Sequence, residues 1–147
     1  MLYVCPTPIG NLGDITLRVL DVLREADLVA AEDTRRTRKL LSHFHISKPV
    51  VSLFEHNELK RLLDKLHLLQ AGEKVALVSD AGMPGICDPG YKLIRAALEK
   101  GYPVEVLPGA SAIETSLVAS GFATDSFVFT GYLPRKKGEL SAALQAI

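Results

Sequence analysis

The chain has 147 residues, 48% of them hydrophobic and 23% charged, which suits one ordinary folded domain with its own core. Its formal net charge is zero, so no overall field draws it to nucleic acid or membrane, and any such affinity must come from local clusters. No apolar run approaches the ~20 residues that span a bilayer, no basic-then-apolar leader is visible, and Cys5 and Cys87 are the only cysteines. A reducing, cytoplasmic setting with both thiols free is therefore expected.

The hydrophobic period alternates along the chain. Leu2–Val4 reads as a short strand. Ile15, Val19, Val22, Leu23 and Ala26 form a helical stripe, with Asp14 placed to cap it. Leu28–Ala31 reads as a strand, and Thr37, Leu40, Leu41 and Phe44 give the apolar face of a second helix. Residues 50–53 read as a strand, and Leu59, Leu62, Leu63, Leu66 and Leu69 as a third amphipathic helix stopping near Gly72. Val75–Val78 is an apolar strand, residues 91–98 a helix closed by Gly101, and residues 104–107 a strand. Residues 111–120 read as a helix and 127–130 as a last strand, before a basic turn and the start of another helix. This alternation predicts an α/β fold, a mostly parallel sheet with helices on both faces. A boundary near Pro108-Gly109 divides an N-terminal α/β domain, residues 1–108, from the start of a second α/β domain, residues 109–147.

The loops after the strands carry the chemistry. The first, residues 6–14, contains neither G-x-G-x-x-G nor G-x-x-x-x-G-K-[ST]. Pro6 and Pro8 remove backbone donors, so it suits a neutral or cationic ligand better than a triphosphate, or serves only as a connection. In the loop 79–90, Gly82, Gly85 and Gly90 allow close approach to a ligand. Asp80, at a strand end, is expected near that ligand, whereas Asp88 with Pro89 reads as a helix cap. Glu32 and Asp33, before Thr34-Arg35, can orient a hydroxyl or ribose, or cap a helix with first-turn charge. Arg35, Arg38 and Lys39 share a helix face able to hold phosphates or simply be solvated, and Arg135-Lys136-Lys137 is a second basic cluster. His56, after the third strand, is a general base or a polar helix-start residue. No metal-ligand spacing is present, and both cysteines read as small buried hydrophobes.

Six segments occur in order: Pro6-Thr7-Pro8-Ile9-Gly10-Asn11-Leu12-Gly13-Asp14-Ile15-Thr16, Ala31-Glu32-Asp33-Thr34-Arg35, Glu55-His56-Asn57-Glu58, Ser79-Asp80-Ala81-Gly82-x-Pro84 through Asp88-Pro89-Gly90, Leu107-Pro108-Gly109 and Gly131-Tyr132-Leu133-Pro134. With them the chain resembles the small-subunit ribosomal RNA methyltransferase I family, within the tetrapyrrole-methylase-like superfamily. The resemblance implies a homodimeric two-domain enzyme that uses S-adenosylmethionine to methylate a cytidine 2′-hydroxyl in small ribosomal subunit RNA. By position it places the cofactor against Pro8, Asp80, Gly82, Met83, Pro84, Ser111, Ala112 and Leu133. Glu32 or Asp33, with His56 in reserve, would then orient or deprotonate the hydroxyl, and Arg35, Arg38, Lys39, Lys136 and Lys137 would meet RNA phosphates. Met83, Cys87 and Ala110 depart from the residues usual there, Thr, Ser or Asn, and Pro. Members of the family are longer, so the second domain is expected only in its first part. A related tetrapyrrole or protein methyltransferase, or a cofactor- or RNA-binding module without turnover, is the alternative.

Overall fold

A computed structural model describes residues 1–53 and 58–146 of the chain. They divide into two units, Met1–Ala112 and Ile113–Ile147. In the first, strands β1 (Leu2–Val4), β2 (Leu28–Ala31), β3 (Val50–Ser52), β4 (Val75–Val78) and β5 (Val104–Val106) form one sheet in the order β3-β2-β4-β1-β5. Every pairing is parallel, with Leu2 opposite both Val75 and Val104, and Leu28 opposite Val75. β4 therefore lies at the centre, and all four of its residues are buried. A strand covered on both faces has no polar side to alternate with, which is why Val75–Val78 is uniformly apolar.

The two faces separate cleanly by residue parity. Cys5, Val29, Ala31, Ala76 and Val78 pack with Val19, Leu20 and Leu23 of α1 (Leu17–Glu25) and Leu41 of α2 (Thr34–His43). Leu2, Val4, Ala30, Val75 and Leu77 pack with Leu66 and Leu69 of α3 (Glu58–Gln70) and Leu93 and Ala97 of α4 (Tyr91–Glu99). Successive strand residues point to opposite faces, so each strand feeds two cores. Connections moving one way across the sheet lie on one face and those returning lie on the other, as right-handed crossovers require.

Three expectations change. α1 is capped by Thr16, whose hydroxyl accepts from Val19 N–H at 3.1 Å, while Asp14 closes a short 3₁₀ turn, Leu12–Asp14. That turn moves the helix start two residues past the position the acidic side chain marked. α2 ends at His43, so Phe44, expected on the helix face, is instead its C-cap, and His45 at φ +55 takes the left-handed position after it. Its N–H bonds Ser42 O and that of Ile46 bonds Leu41 O, the Schellman arrangement. The strand expected at 127–130 is not formed; these residues are exposed, irregular backbone, because β-branched and aromatic residues make a strand only against a pairing partner. The second unit holds helices α5 (Ala112–Ala119) and α6 (Lys137–Gln145), α5 beginning one residue before the division.

Candidate functional site at the carboxyl ends of the strands

Because all the strands are parallel, the loops after β1, β2 and β4 leave one edge of the sheet. β1 and β2 lead to helices on one face, and β4 leads to α4 on the other. The loops diverge on either side of β4, which opens a crevice of the kind where open α/β sheets hold ligands. A cavity of about 260 Å³ lies there, lined by Thr7, Pro8, Leu12, Arg36, Thr37, Lys39, Leu40, Ser79 and Asp80.

The loops after β1 and β4 are tied to each other. Thr7 N–H donates to Gly82 O at 3.0 Å and Gly82 N–H to Thr7 O at 2.9 Å. The Thr7 hydroxyl donates to Ser79 O at 3.1 Å, and the Ser79 hydroxyl reaches Gly82 O at 3.3 Å. Buried polar groups thus satisfy one another without a regular ladder. Gly82 sits at φ +76, a left-handed backbone that favours glycine, although a Cβ there would make only ordinary contact with Ile9 Cδ1 at 3.4 Å.

The loops after β2 and β4 are tied by carboxylates. Asp33 N–H donates to Asp80 Oδ1 at 3.0 Å, and Asp80 N–H donates to Glu32 Oε2 at 3.1 Å. Each loop's acid accepts the other loop's amide. Arg36 Nη1 lies 3.3 Å from Asp80 Oδ2. Asp33 caps α2, accepting from Arg35 N–H at 2.8 Å, and pairs with the Arg35 guanidinium at 3.0 Å. These bonds hold the Asp33 carboxyl down at about 2. Glu32 moves the other way: burial pushes its carboxyl up, and the charges of Asp80 and Asp88 add to this against the Asp80 amide and Arg36. Neighbouring carboxylates share one pocket of field, so the more buried acid keeps its proton longer.

Asp88 belongs to this group and is not the expected helix cap. α4 begins at Tyr91, and the cap position is Gly90 at φ +119, with no side-chain cap bond. The left-handed turn at Gly90 carries Asp88 away from the helix end. Its carboxyl is pushed up by burial, partly offset by a hydrogen bond with Ser79. Among the described residues no three His, Cys, Asp or Glu side chains gather as a metal site.

Residues 1–147 match the family described as Tetrapyrrole (Corrin/Porphyrin) Methylases. The chain belongs to that family. The ribosomal RNA small subunit methyltransferase I of Halalkalibacterium halodurans is 52% identical over 147 residues, 98% of this chain and 50% of that protein. The protein of the same name from Thermotoga maritima is 52% identical over 136 residues, 92% of this chain and 61% of its own length. The chain thus spans about half the length of the curated relatives it matches. A uroporphyrin-III-C-methyltransferase structure from Thermus thermophilus superposes with a TM-score of 0.62 at 23% identity, covering 83% of this chain and 53% of that one, a likeness of fold.

In this tetrapyrrole methylase chain the residues singled out from sequence fall into distinct places. Pro8, Asp80 and Lys39 line the cavity, and Asp33 is bonded to Asp80, so the three strand-end loops share one rim. Gly82 and Pro84 are buried, and the partly buried Met83 side chain packs against the core that includes Leu93 and Ala97 of α4. Ser111 is half-buried and Ala112 opens α5. Arg35 is engaged by Asp33, and Arg38 reaches Thr34 Oγ1 at 3.4 Å and Val50 O at 3.5 Å, lining a separate open depression with Ser42 and Lys48. Leu133, Lys136 and Lys137 belong to the second unit, where Lys136 pairs with Glu139 at 3.2 Å and Lys137 opens α6. His56 lies outside the described residues. Cys87, expected to be buried, is exposed at φ +56 on the glycine-rich loop.

Sequence reasoning missed Arg36, Thr37, Thr7 and Ser79 as cavity walls. The signal for Arg36 was available. Arg36, Lys39 and Leu40 stand at i, i+3 and i+4 and so share one helix face.

Proposed function

We propose that this chain is the S-adenosylmethionine-dependent methyltransferase of a cytidine 2′-hydroxyl in small ribosomal subunit RNA, working as a homodimer, with residues 109–147 forming the start of a second α/β domain. The observation that carries this reading is its likeness to proteins named for small-subunit ribosomal RNA methylation. The rim geometry supports it. A cavity of about 260 Å³ is smaller than the roughly 300–1,000 Å³ of a complete small-molecule site, so it takes one part of a larger ligand. Glu32, Asp80 and Asp88 set carboxylates on a rim that also carries Arg36 and Lys39, so the acids suit a sulfonium cation while the bases can meet phosphate.

S-adenosylmethionine supplies an electrophilic methyl carbon when bound. Pro8, Asp80, Gly82, Met83, Pro84, Ser111 and Ala112 of the first unit would hold it. The protein's remaining work is to hold the hydroxyl in line and take its proton. Glu32 suits that role better than Asp33, since a base works best when its pKa lies toward neutral, and Asp33 sits at about 2. His56 is the reserve base. Lys39, Lys136, Lys137, Arg35 and Arg38 are assigned to RNA phosphates.

The test is transfer of labelled methyl groups to small ribosomal subunits by the wild-type chain, Glu32→Gln and Asp33→Asn. Loss of about tenfold or more in Glu32→Gln, with Asp33→Asn less affected, supports the assignment. Equal rates in all three remove both acids from the chemistry.

A further inference from the structure

We propose that Arg36 is a phosphate latch: it rests on Asp80 in the free protein and leaves it for a phosphate of the incoming RNA, which Lys39 on the same cavity wall helps to hold. This deepens the RNA reading above and rests on it for the source of the phosphate.

Three observations carry the inference. First, Arg36 and Lys39 both line the rim cavity, one helical turn apart on α2, while the other cations of that helix are engaged elsewhere, Arg35 on Asp33 and Arg38 on Thr34 and Val50. Second, among the described residues Arg36 meets Asp80 by one contact at 3.3 Å, with the Arg36 side chain 68% and the Asp80 side chain 23% exposed. An ion pair whose guanidinium is this exposed to solvent holds weakly. A guanidinium presents several donors in a planar fork and grips a phosphate by two of them, so the exchange replaces one contact with a bidentate pair. Third, Asp80 keeps its place without Arg36, because its Oδ1 accepts from Asp33 N–H and its own N–H is held by Glu32. Departure of Arg36 therefore frees Oδ2 alone. That oxygen then faces the cavity as an acceptor for a ligand hydroxyl or amine. Anion arrival and acceptor exposure become one event.

The opposing charges are on the same rim. Asp80 itself competes with phosphate for Arg36, and Glu32 and Asp88 are close by. The competition gives the test its sign. The probes are inorganic phosphate and a cytidine trinucleotide, each titrated into the nitrogen-15-labelled chain, with the side-chain Nε–H signal of Arg36 and the backbone signal of Lys39 as readouts. Both signals are expected to shift saturably. Arg36→Gln and Lys39→Gln, both at exposed positions, should each weaken phosphate binding by about threefold or more. Asp80→Asn keeps the acceptor for Asp33 but removes the competing charge, and should tighten it by a similar factor.

An Arg36 signal unmoved by phosphate overturns the latch, and so does an Asp80→Asn variant, folded by its dispersed spectrum, that binds phosphate no tighter than wild type. A purely structural Arg36–Asp80 pair predicts that both variants weaken binding together. If phosphate moves Arg36 but small ribosomal subunits are not methylated, the latch stands and the functional reading falls. If the subunits are methylated while Arg36 ignores phosphate, the reverse holds.

Discussion

At single residues, charge and capping here are decided by which backbone amide lies within reach. Thr16, not Asp14, meets an orphan amide of α1. Thr16→Ala should therefore cost ~1 kcal/mol, and Asp14→Ala close to nothing, in urea unfolding. Glu32 offers a pH-dependent case. In the unfolded chain it titrates near the ordinary 4.5, and in the folded chain burial moves it higher. Between those values the folded state holds the extra proton, so stability falls as pH rises through that window. Glu32→Gln removes the loss while keeping an oxygen for the Asp80 amide. Its stability relative to wild type should thus improve between about pH 4 and pH 7. The same gap between the two proteins at both pH values would show that ionised Glu32 carries no penalty. Asp33 behaves oppositely: its pairing with Arg35 favours folding above the ordinary carboxylate range and is lost only as pH falls toward about 2.

At the scale of elements, the sequence is most legible where period and burial agree. β4 reads correctly because a strand covered on both faces is apolar throughout, and α1 and α2 because only one stripe of each meets the sheet. The strand order is not legible, since every strand carries similar apolar residues and the order emerges only from the crossovers. Residues 127–130 fail for a related reason: Phe-Val-Phe-Thr has strand propensity, but propensity supplies no pairing partner. Among site residues, Pro8, Asp80 and Lys39 were reachable because strand ends and helix faces can be counted. Arg36 does not stand out beside its equally charged neighbours, and Asp88 reads as a cap because Asp-Pro resembles a helix start. What defeats that rule is Gly90. It holds φ +119, and a Cβ there would lie 2.9 Å from Leu77 Cδ2. Gly90→Ala should cost about 2–4 kcal/mol, the sum of left-handed strain and core overpacking. Gly10, at φ +83 with nothing near its missing Cβ, isolates the first of those terms. Gly10→Ala should cost only ~1 kcal/mol. Similar losses in the two variants would show that the Leu77 contact relaxes freely.

Over the whole first unit, the two cores lie on opposite faces of one sheet, so opening either face means detaching a helical layer. The cysteines report on this from contrasting positions. Cys5 is 0% exposed, among residues of β2, β4, α1 and α2, and burial pushes its thiol up to about 12. Cys87 is exposed on the loop after β4. Thiolate is the reactive form, so Cys5 is protected both by access and by ionisation. An aromatic disulfide reagent under native conditions should therefore modify Cys87 promptly and leave Cys5 unmodified. Cys5 reaches solvent only when α1 and α2 leave the sheet, which exposes Val19, Leu23, Val29 and Leu41, all at most 3% exposed. That much apolar surface gives its labelling rate a steep dependence on urea, matching the slope of global unfolding followed by circular dichroism. A Cys87→Ser background removes the fast phase and leaves the slow one to be measured alone. If Cys5 instead reacts at a rate indifferent to urea while the dichroism stays native, the α1–α2 layer opens by itself, and the rim cavity, walled by α2, opens with it.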